Sequence, residues 1–349
     1  MSKLERLIQQ YCPDGVEYYK VKDIYKRIKG TPITAGKMKE IANSNGSVKI
    51  FAGGKTAIDA NEEDIPNATI TRVPAVLVQS RGVIDVIYYD KPFTFKNELW
   101  GYTTDNKIAV KYLYYVLKNN VQVFRDAASG MGALPQISLK VTEDFEIPVP
   151  PLPVQEEIVR ILDAFTELQA ELQKRQQQYN FYRDNLLNFN RGGQEIKWMK
   201  MSDVFEIRNG YTPSKANNDF WEGGTIPWFR MEDIRQNGRI LSDSISHITP
   251  KGVKGKGFFS ANSFIIATTA TIGEHALLIA DSLANQRFTN LKIRKSLEKE
   301  LSIKFFYYYL FIIDEWCKSN INLSNFASVD MVKFNNLRIP IPPLEEQNR

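Results

Sequence analysis

Residues 147–155 read IPVPPLPVQ, and residues 339–347 read IPIPPLEEQ. The offset of 192 positions pairs Pro150 with Pro342, Pro151 with Pro343, Leu152 with Leu344 and Gln155 with Gln347. Running backward in that register, Ile137 meets Val329, Leu139 meets Met331 and Phe145 meets Leu337. A second match opens each half. VEYYKVKDI at 16–24 lies on IKWMKMSDV at 196–204, with Lys20 on Lys200 and Asp23 on Asp203. Gly30 then falls on Gly210, and Pro32 on Pro213 after one insertion. One such motif is chance, but matched ends in the same order around divergent middles mean a duplication.

The physical reading of each half is a short opening strand and turn, a variable middle, and a closing strand. Proline cannot continue a strand ladder and is tolerated in the first turn of a helix. IPVPPLPVQ therefore marks a strand leaving a sheet and a helix beginning. The expectation is an α/β (α+β) chain of two similar domains separated by a long helix of coiled-coil type. Its divisions are 1–150 with a short amino-terminal helix, 151–193 for the connecting helix, 194–340, and 341–349 as the start of a second connector.

Gln155 to Phe189 contains neither Gly nor Pro and is rich in good helix formers. Written as heptads, Ile158, Phe165, Leu172, Tyr179 and Leu186 fill one core position. Ile161, Leu168, Arg175, Tyr182 and Phe189 fill the other, so Arg175 alone breaks an apolar seam. Such a rod is roughly 50 Å long, and Asn190-Arg191-Gly192-Gly193 reads as its stop. Met1–Tyr11 is a weaker amphipathic segment carrying Leu4, Leu7 and Ile8. The second motif should launch an equivalent helix, yet the sequence ends at Asn348-Arg349. The seam's partner is then absent, short, or supplied by another chain, a second copy included. Two alike modules on a stiff rod suit a ligand with two separated, similar parts, and duplex DNA is one. A duplicated scaffold that binds no DNA is the alternative.

Composition fits this reading without deciding it. The 349 residues are 43% hydrophobic with a net charge of +5, enough for ordinary cores in two domains. Lys20, Lys22, Lys26, Arg27, Lys29, Lys37 and Lys39 face only Asp23 between residues 20 and 39, a cluster suited to phosphate or to solvent. Cys12 and Cys317 stand alone, which fits a reducing compartment. The amino terminus has no signal-peptide run, and Phe305–Ile313 is too short for a bilayer. A cytoplasmic protein without membrane contact is expected.

The catalytic look-alikes fail on spacing. Gly53-Gly54-Lys55-Thr56 lacks the earlier glycine of a phosphate loop, because Lys49 stands there. His247 and His275, with two isolated cysteines, offer no zinc spacing. Glu62, Glu63 and Asp64 read as a solvated charge run, and no dinucleotide fingerprint or methyltransferase tetrad is present.

The opening LIQQYCPDGVEYYKVKDI at 7–24, the two IPxPPL ends, the helix after the first and the duplicated order resemble the specificity subunits of Type I restriction–modification enzymes. The resemblance covers the whole chain. It implies two target recognition domains, each reading one part of a bipartite site in double-stranded DNA. The helices would set the spacing and dock DNA methyltransferase subunits, with a restriction motor-nuclease subunit joining for cleavage. It also implies a non-catalytic chain that binds no cofactor, S-adenosylmethionine sitting on the methyltransferase partner. The family pattern includes a second spacer helix. Its absence from this sequence leaves open a truncated or recombined product and a coil completed by a second copy.

Base readout needs paired donors and acceptors, while Lys and Arg on phosphates supply affinity. In the first half the candidates are Lys29, Thr31, Lys37, Arg72, Gln79, Arg81 and Asn97. In the second they are Arg208, Tyr211, Lys215, Arg230, Arg235, Lys254, Lys256, Gln286 and Arg287. Lys254 and Lys256 lie in Gly252-Val253-Lys254-Gly255-Lys256-Gly257, which reads equally as a phosphate-facing loop or a plain turn. Trp221 and Trp228 are expected in the core.

Overall fold

A computed structural model describes the chain apart from residues 55, 130–133, 190–195, 256, 324–326 and 349. Two compact units emerge, Met1–Lys174 and Arg175–Arg349.

The first unit opens with α1 (Lys3–Tyr11), whose Ser2 cap and Glu5 bond reciprocally to each other's backbone. Then follow β1 (Tyr18–Lys20), α2 (Val21–Ile24), β2 (Lys26–Ile28), α3 (Ala35–Glu40), β3 (Val48–Phe51) and β4 (Ala57–Ala60). After these come β5 (Ala75–Gln79), β6 (Asp85–Tyr89), β7 (Phe93–Phe95) and β8 (Leu99–Thr103). The unit continues through α4 (Lys107–Asn119), α5 (Val121–Asp126), α6 (Leu139–Glu143) and β9 (Glu146–Pro148) into α7 (Leu152–Leu186). Strands β2-β8-β5-β6 form one antiparallel sheet, and β4-β3-β7 form a smaller mixed one. β5 is buried along its whole length, and strand alternation gives it two cores. Val76 and Val78 pack with Leu113 and Leu117 of α4, while Leu77 packs with Phe51, Phe93 and Phe95.

The second unit repeats the plan. It runs through β10 (Lys197–Lys200), α8 (Met201–Val204), β11 (Phe205–Asn209), β12 (Ile226–Phe229), α9 (Met231–Asn237), β13 (Ile240–Leu241) and β14 (His247–Ile248). Next are β15 (Ser263–Ala267), β16 (His275–Leu278), β17 (Leu283–Ala284), β18 (Phe288–Ile293) and α10 (Ile303–Ser319). It closes with β19 (Ile321–Leu323), β20 (Ala327–Val329), α11 (Met331–Asn336), β21 (Arg338–Ile341) and α12 (Leu344–Asn348). The larger sheet is β11-β18-β15-β16-β13, and β14-β12-β17 is the smaller. Here β15 is the doubly buried strand. Phe264 and Ile266 face Phe306 and Leu310 of α10, and Ile265 and Ala267 face Phe229 and Leu283.

The matched sequence ends turn out to be matched hydrogen bonds. Tyr18, Tyr19 and Lys20 pair antiparallel with Pro148, Ile147 and Glu146. Trp198, Met199 and Lys200 pair the same way with Pro340, Ile339 and Arg338. Beyond each pair, the Val21 amide donates to the Phe145 carbonyl at 3.0 Å, and Met201 to Leu337 at 2.9 Å. The repeated glutamine explains itself as well. Gln155 Nε2 donates to the Pro150 carbonyl and Gln347 Nε2 to the Pro342 carbonyl, each at 2.7 Å and each inside the protein. The side chain therefore ties the proline turn to the helix that follows. Gln347 does more, since Nε2 also reaches the Glu300 carbonyl at 3.0 Å and Oε1 accepts from the Ser302 amide at 2.8 Å. Gln155 Oε1 is buried without a partner.

α7 begins three residues earlier than the Gly- and Pro-free run, because Pro153 is accommodated in its first turn. Within the first unit, Asp163 accepts from Tyr115 Oη at 2.5 Å and pairs with Lys111 at 2.9 Å. Glu157 is clasped by Arg160 at 2.6 Å and by Lys3 of α1 at 2.7 Å. Within the second unit, the Arg183 guanidinium lies 4.7 Å over the Phe311 ring, and Phe189 sits 5.9 Å from Phe305. Of the heptad seam, Ile158, Ile161 and Phe189 are half-buried. Phe165, Leu168 and Leu172 are 61–68% exposed, and Tyr179, Tyr182 and Leu186 are exposed too. The Asn190–Gly193 stop lies outside the described residues. Among those described, no helix is long and apolar enough to cross a membrane.

The two glutamines should differ in a measurable way. Gln347→Ala should cost about 2–4 kcal/mol in denaturant titration and Gln155→Ala about 1 kcal/mol, since the former strands one buried and two part-buried backbone partners and the latter one buried partner. The Glu157 clasp is sensitive to pH. The Arg160 and Lys3 bonds hold its carboxyl at about 2, below its usual 4.5. A depressed carboxyl stabilises above its unfolded value and loses that contribution as pH falls. The docking of α1 should therefore weaken between pH 4.5 and about 2. Pepsin cleavage near Leu7 would report it, and Glu157→Gln should abolish the pH step.

Candidate nucleic-acid interface

Each unit places a tight turn at the same point of its sheet. Lys96–Leu99 joins β7 to β8, closed by the Leu99 amide on the Lys96 carbonyl at 3.0 Å. Asn285–Phe288 joins β17 to β18, closed by Phe288 on Asn285 at 3.1 Å. The segment leaving the unit's first sheet strand crosses just behind. The Thr31 amide donates to Phe95, and Tyr211 donates to Ala284, both at 2.9 Å. The crossing requires the paired glycines. A Cβ on Gly30 would sit 1.9 Å from the Phe95 oxygen, and one on Gly210 would sit 2.4 Å from that of Ala284. On the other side, Ser80 donates to the Glu98 carbonyl at 3.1 Å and Thr268 to that of Arg287 at 2.9 Å. Asn97 thus corresponds to Gln286, and Glu98 to Arg287.

A small cavity opens beside each turn. In the first unit it is about 290 Å³, lined by Pro32, Ile33, Thr34, Lys96, Asn97 and Glu98. Lys96 and Glu98 pair at 3.0 Å, so this lip is nearly neutral. In the second it is about 250 Å³ and brings together four of the expected residues, Lys215, Arg230, Gln286 and Arg287. Glu232 is the one acid on that lining, so this lip is cationic. Arg230 also lies over the Trp228 ring at 6.0 Å.

A second grouping in this unit surrounds the glycine-rich segment. Tyr211 Oη donates to the Gly252 carbonyl at 3.1 Å and accepts from the Lys254 amide at 2.7 Å. Arg208 donates to the Gly257 carbonyl at 2.9 Å and stacks on Phe259, and burial lowers its pKa. Both side chains brace the loop that displays Lys254, which is exposed. Lys256 lies outside the described residues.

Several expected contacts are placed elsewhere. Thr31 is fully buried, bonded to Thr94 Oγ1 at 2.8 Å and to the Thr69 amide at 2.9 Å. Gln79 is 1% exposed at the end of the doubly buried β5. These two are corrections: Thr31 is bonded inside the protein, and Gln79 is buried with its Oε1 unpartnered, so neither presents an edge to a groove. Lys29, Arg81 and Arg235 are exposed but join neither cavity. Arg72 pairs with Glu62, and Lys37 with Glu40. The basic cluster is partly neutralised. Lys22 pairs with Asp144 at 2.6 Å, lowering that carboxyl's pKa, and Arg27 reaches Glu143 at 3.9 Å. Sequence reasoning missed Thr34, Lys96, Glu98, Thr212, Glu232 and Asn285. The only signal for the turn was a carboxamide, a charged residue and an apolar residue in succession, at 97–99 and 286–288.

The remaining motifs are structural. Gly53 and Gly54 sit in the hairpin between β3 and β4, spanned by the Ala52 amide on the Thr56 carbonyl. His275 is buried, with Nδ1 2.7 Å from Asp314 and Nε2 3.0 Å from the Tyr307 carbonyl, and Arg239 joins Asp314 at 3.2 Å. Among the described residues no cluster could hold a metal ion. Burial pushes the Cys317 thiol up to about 12, so it is inert. Trp228 is core, and Trp221 packs edge-on to it at 5.0 Å.

The duplicated architecture matches a known domain twice. The Type I restriction modification DNA specificity domain covers residues 13–179 and again 194–349. The chain belongs to this family. It is 53% identical over 150 residues to the Type I restriction enzyme EcoprrI specificity subunit of Escherichia coli, a match covering 43% of this chain and 37% of that subunit. To the EcoR124I/EcoR124II specificity subunit, also from E. coli, it is 34% identical over 266 residues, covering 70% of this chain and 62% of the relative. In both cases the matched stretch spans less than two thirds of the relative's length. The crystal structure of an S subunit from a Type I restriction-modification system of M. genitalium shares the fold. Its TM-score is 0.64 at 14% identity, over 96% of this chain and 87% of that one.

Proposed function

We propose that this family member reads duplex DNA as a non-catalytic specificity subunit, each unit taking one part of a bipartite site. One observation carries the reading. The same turn, glycine crossing and side cavity recur in both units, with exposed polar side chains that differ between them. Duplicated scaffolding with divergent lips is what two related but unequal half-sites require. The cationic residues of the second lip and exposed Lys254 suit phosphate, which supplies affinity without sequence information.

In this proposal α7 fixes the distance between half-sites. Its exposed Phe165, Leu168 and Leu172 form an apolar row of the kind that another helix covers. Methyltransferase subunits, or a second copy of this chain, would bury it. Methyl transfer, with S-adenosylmethionine, would reside on those partners, and cleavage on a motor-nuclease subunit, all in the cytoplasm. A DNA-free scaffold would explain the duplication equally well but gives no role to the polar lips.

Methylome sequencing of cells carrying this chain with its methyltransferase partner should reveal an interrupted motif. Exchanging residues 196–338 for those of another family member should change one half of that motif and leave the other intact. A change in both halves, or in neither, contradicts the two-reader assignment.

A further inference from the structure

The two turns carry the same side-chain chemistry at the same place, although the sequence around them has diverged. Hydrogen bonding fixes the register. In each unit the turn's first carbonyl accepts from its fourth amide, and its third carbonyl accepts from the residue after the doubly buried strand. Asn97 and Gln286 are therefore both the second residue of the turn. Both are exposed, and both stand on the lip of the cavity. A carboxamide offers one acceptor and one donor side by side. That pair matches the N6 amine and N7 of adenine across the major groove.

We infer that Asn97 and Gln286 are the corresponding adenine-reading residues of the two units, each engaging one A·T pair in its own half-site. This rests on the reading of the chain as a DNA-recognition protein. Gln286 is held ready to read a base. The Thr212 hydroxyl donates to its Oε1, leaving a second lone pair on that oxygen and both Nε2 hydrogens. Asn97 has no side-chain partner among the described residues. The next turn position distinguishes the units. Glu98 is held by Lys96 through one oxygen, whereas Arg287 is exposed beside the cavity that Arg230 lines. The half-sites then share an A·T pair at the corresponding position and diverge next to it.

The test is selection from a randomised duplex pool by the full chain with its methyltransferase partner, comparing the parent with Asn97→Ala, Asn97→Asp, Gln286→Ala and Gln286→Glu. Asn97→Ala should relax the preference for one A·T pair in one half-site by roughly 5- to 150-fold, and Gln286→Ala should do so in the other. The acidic variants, which only accept, should move the preference toward the cytosine amine. The salt slope of the alanine variants should stay that of the parent, since no phosphate contact is lost. Alanine variants that keep the parental motif at every position overturn this inference alone. So does a uniform loss of affinity with a shallower salt slope. A parent without any bipartite preference overturns this inference and the proposed function together.

Discussion

Each half of the chain is closed by its own two ends. A three- or four-residue opening strand lies antiparallel to the closing strand, one amide beyond it donates across, and a buried glutamine pins the proline turn that follows. Strands this short have little stability alone. They hold because the sheet-and-helix body between them brings their ends together, so the contact is both product and seal of the fold. The closure also aims the chain: once the strand is paired, the prolines release it from the sheet, and the next helix starts in a fixed direction.

The two seals are not equally finished. Gln347 satisfies its carboxamide with three bonds, including the amide that starts α10, whereas Gln155 leaves its oxygen buried and alone. The second unit also spends polar groups inside, tying β16 to α10 through His275 and Asp314, with Arg239 joining the carboxylate. At the corresponding ladder position the first unit has Val86. The duplicated scaffold has therefore tolerated an apolar and a polar residue at this ladder position, the first unit setting its own link from sheet to helix one residue away, between Asp85 of β6 and Lys118 of α4. That tolerance fits a design in which the ends are constrained and the middles are free to vary.

What was legible in the sequence follows the same division. The paired prolines, glycines and glutamines were visible because each answers a backbone demand that allows few substitutes. Gly30 and Gly210 have no room for a Cβ, and Gln155 and Gln347 bond to backbone carbonyls. The α/β plan and the long helix came from the same signals. The middles hid more. Thr31 and Gln79 look like surface polar residues until the ladder and the Thr94 hydroxyl claim them. Lys22 and Arg27 look unopposed because Asp144 and Glu143 arrive from the far end of the half. The correspondence of Asn97 with Gln286 lay between insertions, and only the hydrogen bonds of the two turns reveal it.

Native-state hydrogen exchange of the full chain under rising denaturant tests the closure most directly. If the ends seal each half, the amides of residues 18–20, 146 and 147 lose protection at one denaturant concentration, and those of residues 197–200, 338, 339 and 341 share another. An opening strand that exchanges freely while its closing strand stays protected would contradict the account.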